Sequence, residues 1–509
     1  MRTLLATALA VAAAAADLQA PFSVDRPDFW DLSSAPSINS TAHLVFDTVA
    51  SVLQHWPHTR YRNGHAVIPG TVPTGTLLYH GRRDSNSPNG PEWTATDPEH
   101  SYLFCRGEPS DGCWHLTLVN TRPLKVLYFD GSAAAKMRSG PMDTQDIVAW
   151  GQILPDRFFD EEERLDDLCR WGKQFGVDGF VRMQMDFEIM LCSFTAGLEV
   201  VARANLVADG TNHPPSLPKT FALPRGAEDI YSGSWHNRYP GDRRIQLDLT
   251  SLVSFYDTAL VPSLVPARFG KARLQHRLLG IAPEDVRAVM QRLEASYASP
   301  PPATSGIDWE TLVRVIVDRF ADRLEIVQYI LDGASSSSET AKRAMRQLHI
   351  MLTPYLLHSA VPEATGNAWA APIFKFCATS HTAHIHRAPV LTPSERLMLQ
   401  AVEAVNREIC RVITAMWVRG VQAGLDRAVP VSSPLSALDE EEANTLIRDW
   451  RISVDALMSW LDWNVWVKCR PACGFEVRLC RLSAFNLEQS TGNMLSPDVA
   501  IWDGGRPAT

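Results

Sequence analysis

At 509 residues, with 45% hydrophobic and 21% charged residues, the chain exceeds one ordinary core and has a globular composition. A formal net charge of −9 leaves no basic footprint for neutralising phosphates, so nucleic acid is excluded as an expected partner. Beyond the N-terminal region no apolar run reaches the ~18 residues a membrane helix needs, and no membrane span is expected.

The chain opens with Met1-Arg2-Thr3 and an Ala/Leu/Val run through Ala16. A charged start, a short apolar stretch and small residues after it form the pattern of a secretory signal peptide. Residues 1–21 are therefore read as a leader and the protein as secreted. Asn39-Ser40-Thr41 is a glycosylation acceptor sequence, consistent with export. Residues 22–60 form a lead-in segment and a helix, on which Leu44, Phe46, Val49, Val52 and Leu53 recur at helical spacing.

From residue 61 the pattern alternates between strands and helices. Turns rich in Gly and Pro end in the strand Thr76 to Tyr79, and Asp97-Pro98 is a helix start, an N-cap acid followed by Pro. Residues 113–119 and 124–129 alternate as strands. Helices are predicted at 143–150 and 160–175, then strands at 180–183 and 186–192. Residues 61–207 thus read as an α+β domain. Residues 208–249, rich in Pro at first, read as a linker and irregular segment. Helical stripes dominate 250–467, which reads as a mainly α-helical domain. Trp450, Trp460, Trp463 and Trp466 lie near one face of its last helix and are expected in its core.

Nine cysteines suit an oxidising compartment. Cys105 and Cys113 flank a polar turn and are expected to face each other. Cys469, Cys473 and Cys480 lie in the C-terminal tail, 468–509, where disulfides are favoured over zinc because the spacing matches no standard ligand knuckles. An odd count leaves at least one thiol free or paired between chains.

Three segments carry the functional reading: Leu77-Leu78-Tyr79-His80-Gly81, Asp97-Pro98-Glu99-His100-Ser101-Tyr102 and Asp186-Phe187-Glu188. They put a His at a strand end, a Tyr on a helix and a Glu in a late strand. In that order they resemble the ADP-ribosyltransferase superfamily, in its His-Tyr-Glu branch shared with poly(ADP-ribose) polymerases. The resemblance covers about residues 61–200 and implies a split-sheet domain that cleaves NAD. It implies that His80, Gly81 and Tyr102 bind the NAD and that Glu188 stabilises the oxocarbenium-like charge as nicotinamide leaves. Asp186 lies two residues before Glu188, on the same side of a strand, where it would receive the acceptor's proton. The acceptor of the ADP-ribose would be a protein or water, and no metal is expected. The chain also resembles a group of secreted fungal proteins.

A second reading stays open: a secreted structural or interaction protein on a degenerate scaffold of that kind. Gly-x-Ser-x-Gly, a phosphate-binding P-loop and a dinucleotide Gly fingerprint are absent, which removes the defining parts of hydrolase and kinase readings. A carboxylate pair for glycoside hydrolysis remains compatible, since its spacing exists only in the fold. His381, His384 and His386 are read as a polar loop rather than a zinc site, because no carboxylate follows and Pro389 breaks the segment.

Overall fold

A computed structural model describes residues 30–102, 104–105, 112–183, 185–206, 234–297, 303–333, 336–363, 366–425 and 439–467. The leader, the first part of the linker and the cysteines of the tail lie outside these residues. The chain divides into two units, a sheet unit comprising 47–310, 389–398 and 467–509, and a helical unit comprising 1–46, 311–388 and 399–466.

In chain order the sheet unit and its lead-in contain α1 (Ala42–Ser51), α2 (His55–Arg60), β1 (Ala66–Val72), β2 (Leu77–Arg82), β3 (Glu92–Ala95), α3 (Pro98–Tyr102), β4 (Cys113–Asn120), β5 (Leu124–Phe129), α4 (Asp143–Trp150), α5 (Glu161–Lys173), β6 (Gly179–Met183), β7 (Phe187–Leu191), β8 (Leu198–Leu206), β9 (Gln246–Leu247), β10 (Val253–Ser254), α6 (Leu264–Arg268) and α7 (Pro283–Ala295). The strands form one mixed sheet in the order β10-β1-β5-β6-β7-β3-β2-β4-β8, with β9 also on β1. Strands β5 and β6 run parallel, and the segment carrying α4 and α5 supplies the long crossover this demands. Every residue of β6 and β7 is buried, as expected of central strands covered on both faces. At the edge, β8 is mostly exposed and carries Glu199 and Arg203, charges that discourage further pairing.

Register decides which side chains share a face, because paired residues point the same way and successive residues alternate. Tyr79, Ala95, Glu188 and Arg182 lie abreast on β2, β3, β7 and β6. On their face Val67, Leu127, Phe129, Phe180, Met190 and Val253 pack against Ile147 and Val148 of α4, Leu165 and Leu168 of α5, and Val286, Val289 and Leu293 of α7. On the other face the Tyr128 hydroxyl bonds to His58 Nε2 at 2.6 Å and accepts the Leu53 N–H at 3.4 Å, which holds α2 and the end of α1 there. The sequence placed 208–249 in a linker and 250–467 in the helical domain. Here β9, β10 and α7 belong to the sheet unit, because Val253, Val286, Val289 and Leu293 complete an apolar layer that residues 61–207 leave open.

The helical unit contains the greater parts of α8 (Trp309–Leu331) and α11 (Pro393–Gln422), together with α9 (Ser337–Leu352), α10 (Ala371–Thr379) and α12 (Glu440–Leu461). Trp450 is fully buried and donates its indole N–H to the Met416 carbonyl at 3.0 Å, while Trp463 is 2% exposed and stacks on Trp466. Trp450 and Trp463 are thus core as expected, whereas Trp460 and Trp466 are only half-buried. Gly420 of α11 is required there, since a Cβ would lie 2.4 Å from the Met345 sulfur and 3.1 Å from the Trp450 ring.

Among the described residues three disulfides are formed: Cys105–Cys113 as expected, Cys169–Cys192 between α5 and the end of β7, and Cys377–Cys410 between α10 and α11. Cys169–Cys192 and Cys377–Cys410 close separations of 23 and 33 residues. Loops of that size imply about 2–4 kcal/mol of stabilisation for each bridge. Replacing either pair by alanines is expected to lower the urea midpoint accordingly. Unchanged midpoints, or free thiols at these four positions in the purified, unreduced protein, would contradict the assignment.

Candidate functional site

The polar centre of the sheet unit is built on β7. Glu188 is buried among apolar neighbours and faces Arg182, paired with it across the β6–β7 ladder. Arg182 Nε donates to Glu188 Oε1 at 2.5 Å, and its two terminal nitrogens donate to the Glu161 carboxylate at 2.8 and 3.1 Å. Glu161 opens α5, where a carboxylate favours the helix dipole, and it also holds Lys136 at 2.9 Å. The second Glu188 oxygen lies 3.5 Å from His100 Nε2 on α3. Burial works against its charge, but Arg182 and then His100 overcome it and hold the carboxyl down at about 2.

Asp186 stands two residues earlier in the opposite situation. Its Oδ1 accepts the Phe187 N–H at 2.7 Å, while Oδ2 is buried and receives no hydrogen bond from the described residues. Its neighbour is Asp97, at the turn from β3 into α3. Burial, and after it the nearby Asp97 charge, raise the Asp186 carboxyl well above the ordinary carboxylate range, against the pull of His100. Asp97 is held below that range: burial opposes this, but hydrogen bonds with His236 and Arg244 prevail. Arg244 donates to both Asp97 oxygens at 2.9 Å and to Asp242 at 2.9 and 3.0 Å. A proton shared between Asp97 and Asp186 is therefore favoured on Asp186.

Asp97, Asp186 and His236 also offer two oxygens and a nitrogen within 4.8 Å of one another, a donor set a divalent cation accepts. Arg244 already sits on Asp97 and lies 2.9 Å from His236 Nε2. A cation would have to displace that guanidinium, so the arrangement is read as a proton-sharing carboxylate pair.

The expected site residues divide between two faces. Glu188 shares its face with α3, whose last residue, Tyr102, is half-buried, while Asp186 lies in the turn before β7, close to Asp97. His80 points to the other face, beside Thr94 and Ile189. There its Nδ1 bonds the Trp93 carbonyl at 2.6 Å, its Nε2 lies 3.1 Å from Glu92, and its ring meets Phe194 edge-on. Gly81 is covered: a Cβ on it would lie 2.1 Å from the Ser101 carbonyl oxygen, so its role here is to admit α3. The trio thus does not line one cleft, because the period of two along β2 turns His80 away from Glu188. His381 and His386 bond to different partners, Asn406 and Glu403, and form no cluster.

Sequence reading missed Arg182, Asp97, His100, His236 and Arg244 as site groups. Arg182 had a signal, a lone charge inside the apolar run Phe-Val-Arg-Met. His236 and Arg244 had none, since they sit on irregular backbone within the segment read as a linker.

The fold and site define a mixed-sheet domain with a buried carboxylate and arginine cluster at one end of its central strands. Residues 36–113 and 110–227 match the family described as the YPL277C N-terminal domain. Two similar proteins, both from Saccharomyces cerevisiae, are the uncharacterized proteins YOR389W and YPL277C. Each is 25% identical, over 390 and 391 residues, covering 59% of this chain and 60% and 77% of theirs. This chain therefore matches less than two thirds of YOR389W. No solved structure matches.

The protonation states give a pH signature. An ordinary Asp titrates near ~3.9. A folded value raised above this, as for Asp186, contributes stability that is complete below about pH 4 and is lost as pH rises through the folded value. In Asp186→Asn the amide supplies the donor that Oδ2 lacks and cannot ionise. Its unfolding free energy is expected to fall less than wild type between pH 5 and 8, leaving it at least as stable at pH 8. Equal pH slopes in urea unfolding would contradict this.

Proposed function

We propose that this chain is a secreted enzyme that breaks a glycosidic bond, with NAD the first substrate to test and a protein or water as acceptor. One observation carries the reading: Asp186, in the turn that enters β7, and Glu188, within β7, both lie near His100, the first with no salt bridge to a described residue and the second salt-bridged to Arg182 and ionised. Carboxyl groups whose environments push their protonation apart mark acid–base assignments. In its ionised form, populated near and above neutral pH, Asp186 is suited to take the acceptor's proton as the new bond forms. Glu188 supplies fixed negative charge as the anomeric carbon becomes positive and the leaving group departs with the bonding pair. Asp97, His236 and Arg244 retain 19%, 13% and 30% of their side-chain exposure and form the side open to solvent.

Sheet order supports the ADP-ribosyltransferase-like form of this reading. The strand of Glu188, the strand leading into the Tyr102 helix and the strand of His80 are consecutive neighbours, β7-β3-β2. Export is part of the proposal and is supported by three disulfides, which persist in oxidising compartments.

The turned-away His80, the covered Gly81 and the Arg182 that neutralises Glu188 favour the second reading, a non-catalytic protein on a degenerate scaffold. Nicotinamide release from NAD by the purified protein separates the two. If the enzyme reading holds, Asp186→Asn and Glu188→Gln each lower turnover on the order of 10²–10³-fold, the usual effect of removing one aimed group. His80→Ala leaves turnover within a few-fold once folding is matched. No release, with no NAD-dependent change in melting temperature of the wild type, would leave the scaffold reading. Loss of NAD binding in His80→Ala alone would move the site to the other face.

A further inference from the structure

Arg268 ends α6 and is 8% exposed. One terminal nitrogen, Nη1, donates to the Phe255 carbonyl at 2.6 Å, and the guanidinium lies 4.8 Å over the Tyr256 ring. Its other donors, Nε and Nη2, are buried and meet no acceptor among the described residues. No carboxylate of those residues pairs with it, and burial lowers its pKa to about 10, with only the Tyr256 hydroxyl favouring its charge. A buried, uncompensated guanidinium is among the costliest arrangements a fold can hold.

The unmet donors form a particular pair. Nε–H and Nη2–H lie side by side and present the two parallel hydrogen bonds that a carboxylate or phosphate edge accepts. The acid nearest this cluster is Asp130, whose Oδ1 accepts the Ala66 N–H at 2.7 Å and whose charge is felt at Tyr256 rather than at Arg268, while a second guanidinium, Arg273, acts on the same rings. His65 stacks on Tyr256 at 4.3 Å with its Nε2 buried and unpartnered, and His276 Nδ1 lies 3.3 Å from the Tyr256 hydroxyl. Burial and then Arg268 hold both imidazoles below their ordinary range. The cluster sits where β1 begins, at the sheet end where β7 also begins, with β5 and β6 between them.

We infer that the Arg268 fork, beside the Tyr256 ring that His65 and His276 contact in turn, is a binding site for one oxyanion group, a carboxylate or a phosphate, supplied by a ligand. The site stands apart from Asp186 and Glu188 and does not depend on the proposed activity. The anion would complete the guanidinium's hydrogen bonds, and its negative charge would also favour protonation of His65 Nε2.

The test titrates the full chain with inorganic phosphate and, separately, with acetate, against chloride at matched ionic strength. Melting temperature and the Arg268 Nε–H resonance are followed together. With either oxyanion above its dissociation constant, each tenfold increase is expected to raise the melting temperature by a constant step. The Nε–H resonance should shift saturably with the same midpoint. Response to phosphate alone assigns a phosphate site, and response to acetate alone a carboxylate site. Arg268→Met should abolish the step, and the wild-type resonance decides the matter even if that variant fails to fold. Melting curves that follow only ionic strength, with an unmoved Nε–H, would overturn the inference, as would a step that persists in Arg268→Met.

Discussion

Arg182 is the constraint around which the sheet unit is arranged. A guanidinium taken out of water demands negative partners from every side, and here they come from two elements: Glu161 at the start of α5 and Glu188 across the ladder on β7. The arrangement fixes α5 over the centre of the sheet and sets the rotation of β7 about its axis. A buried pair of this kind adds little net stability, but losing one partner costs about 3–5 kcal/mol, so it defines one arrangement sharply. The apolar layer of Leu165, Leu168, Phe180 and Met190 then closes beside it.

From that fixed point the protonation pattern follows. Glu188 is ionised because Arg182 is there, and His100 is drawn to its free oxygen. Asp186 has no cation of its own; Arg244 is spent on Asp97 and Asp242. A carboxyl in the turn before β7 and one within β7 are thus pushed towards opposite states for reasons that can be traced atom by atom. Arg268 shows the complementary imbalance, a positive group with unmet donors where Asp186 is an acid without a cation. Both lie at the sheet end where β1 and β7 begin.

Much of this architecture was legible in the residues. Alternation marked β4 and β5, the Asp-Pro step marked the start of α3, and the polar turn between Cys105 and Cys113 marked their bridge. What the sequence could not carry was contact between distant segments. Ile245 to Leu293 looked like linker and helix because its strands are two residues long, and only the open apolar layer on the sheet gives them a place. His80 was misplaced for another reason. The sequence put it at a strand end, whereas β2 runs on to Arg82, and the face it takes depends on the pairing of Tyr79 with Ala95, which a shift of one residue would reverse. His236 and Arg244 complete the carboxylate site from irregular backbone, which no periodicity reveals.

The central claim is that Asp186 holds a proton where Glu188 does not, and carboxyl carbon NMR reads that directly. With 13C-labelled Asp and Glu side chains, Asp186→Asn and Glu188→Gln identify the two resonances. The Asp186 carbon is expected to titrate well above the ordinary Asp range, and the Glu188 carbon to stay ionised down to about pH 3. An Asp186 carbon that titrates near pH ~4 or below, like a free aspartate, would contradict the account.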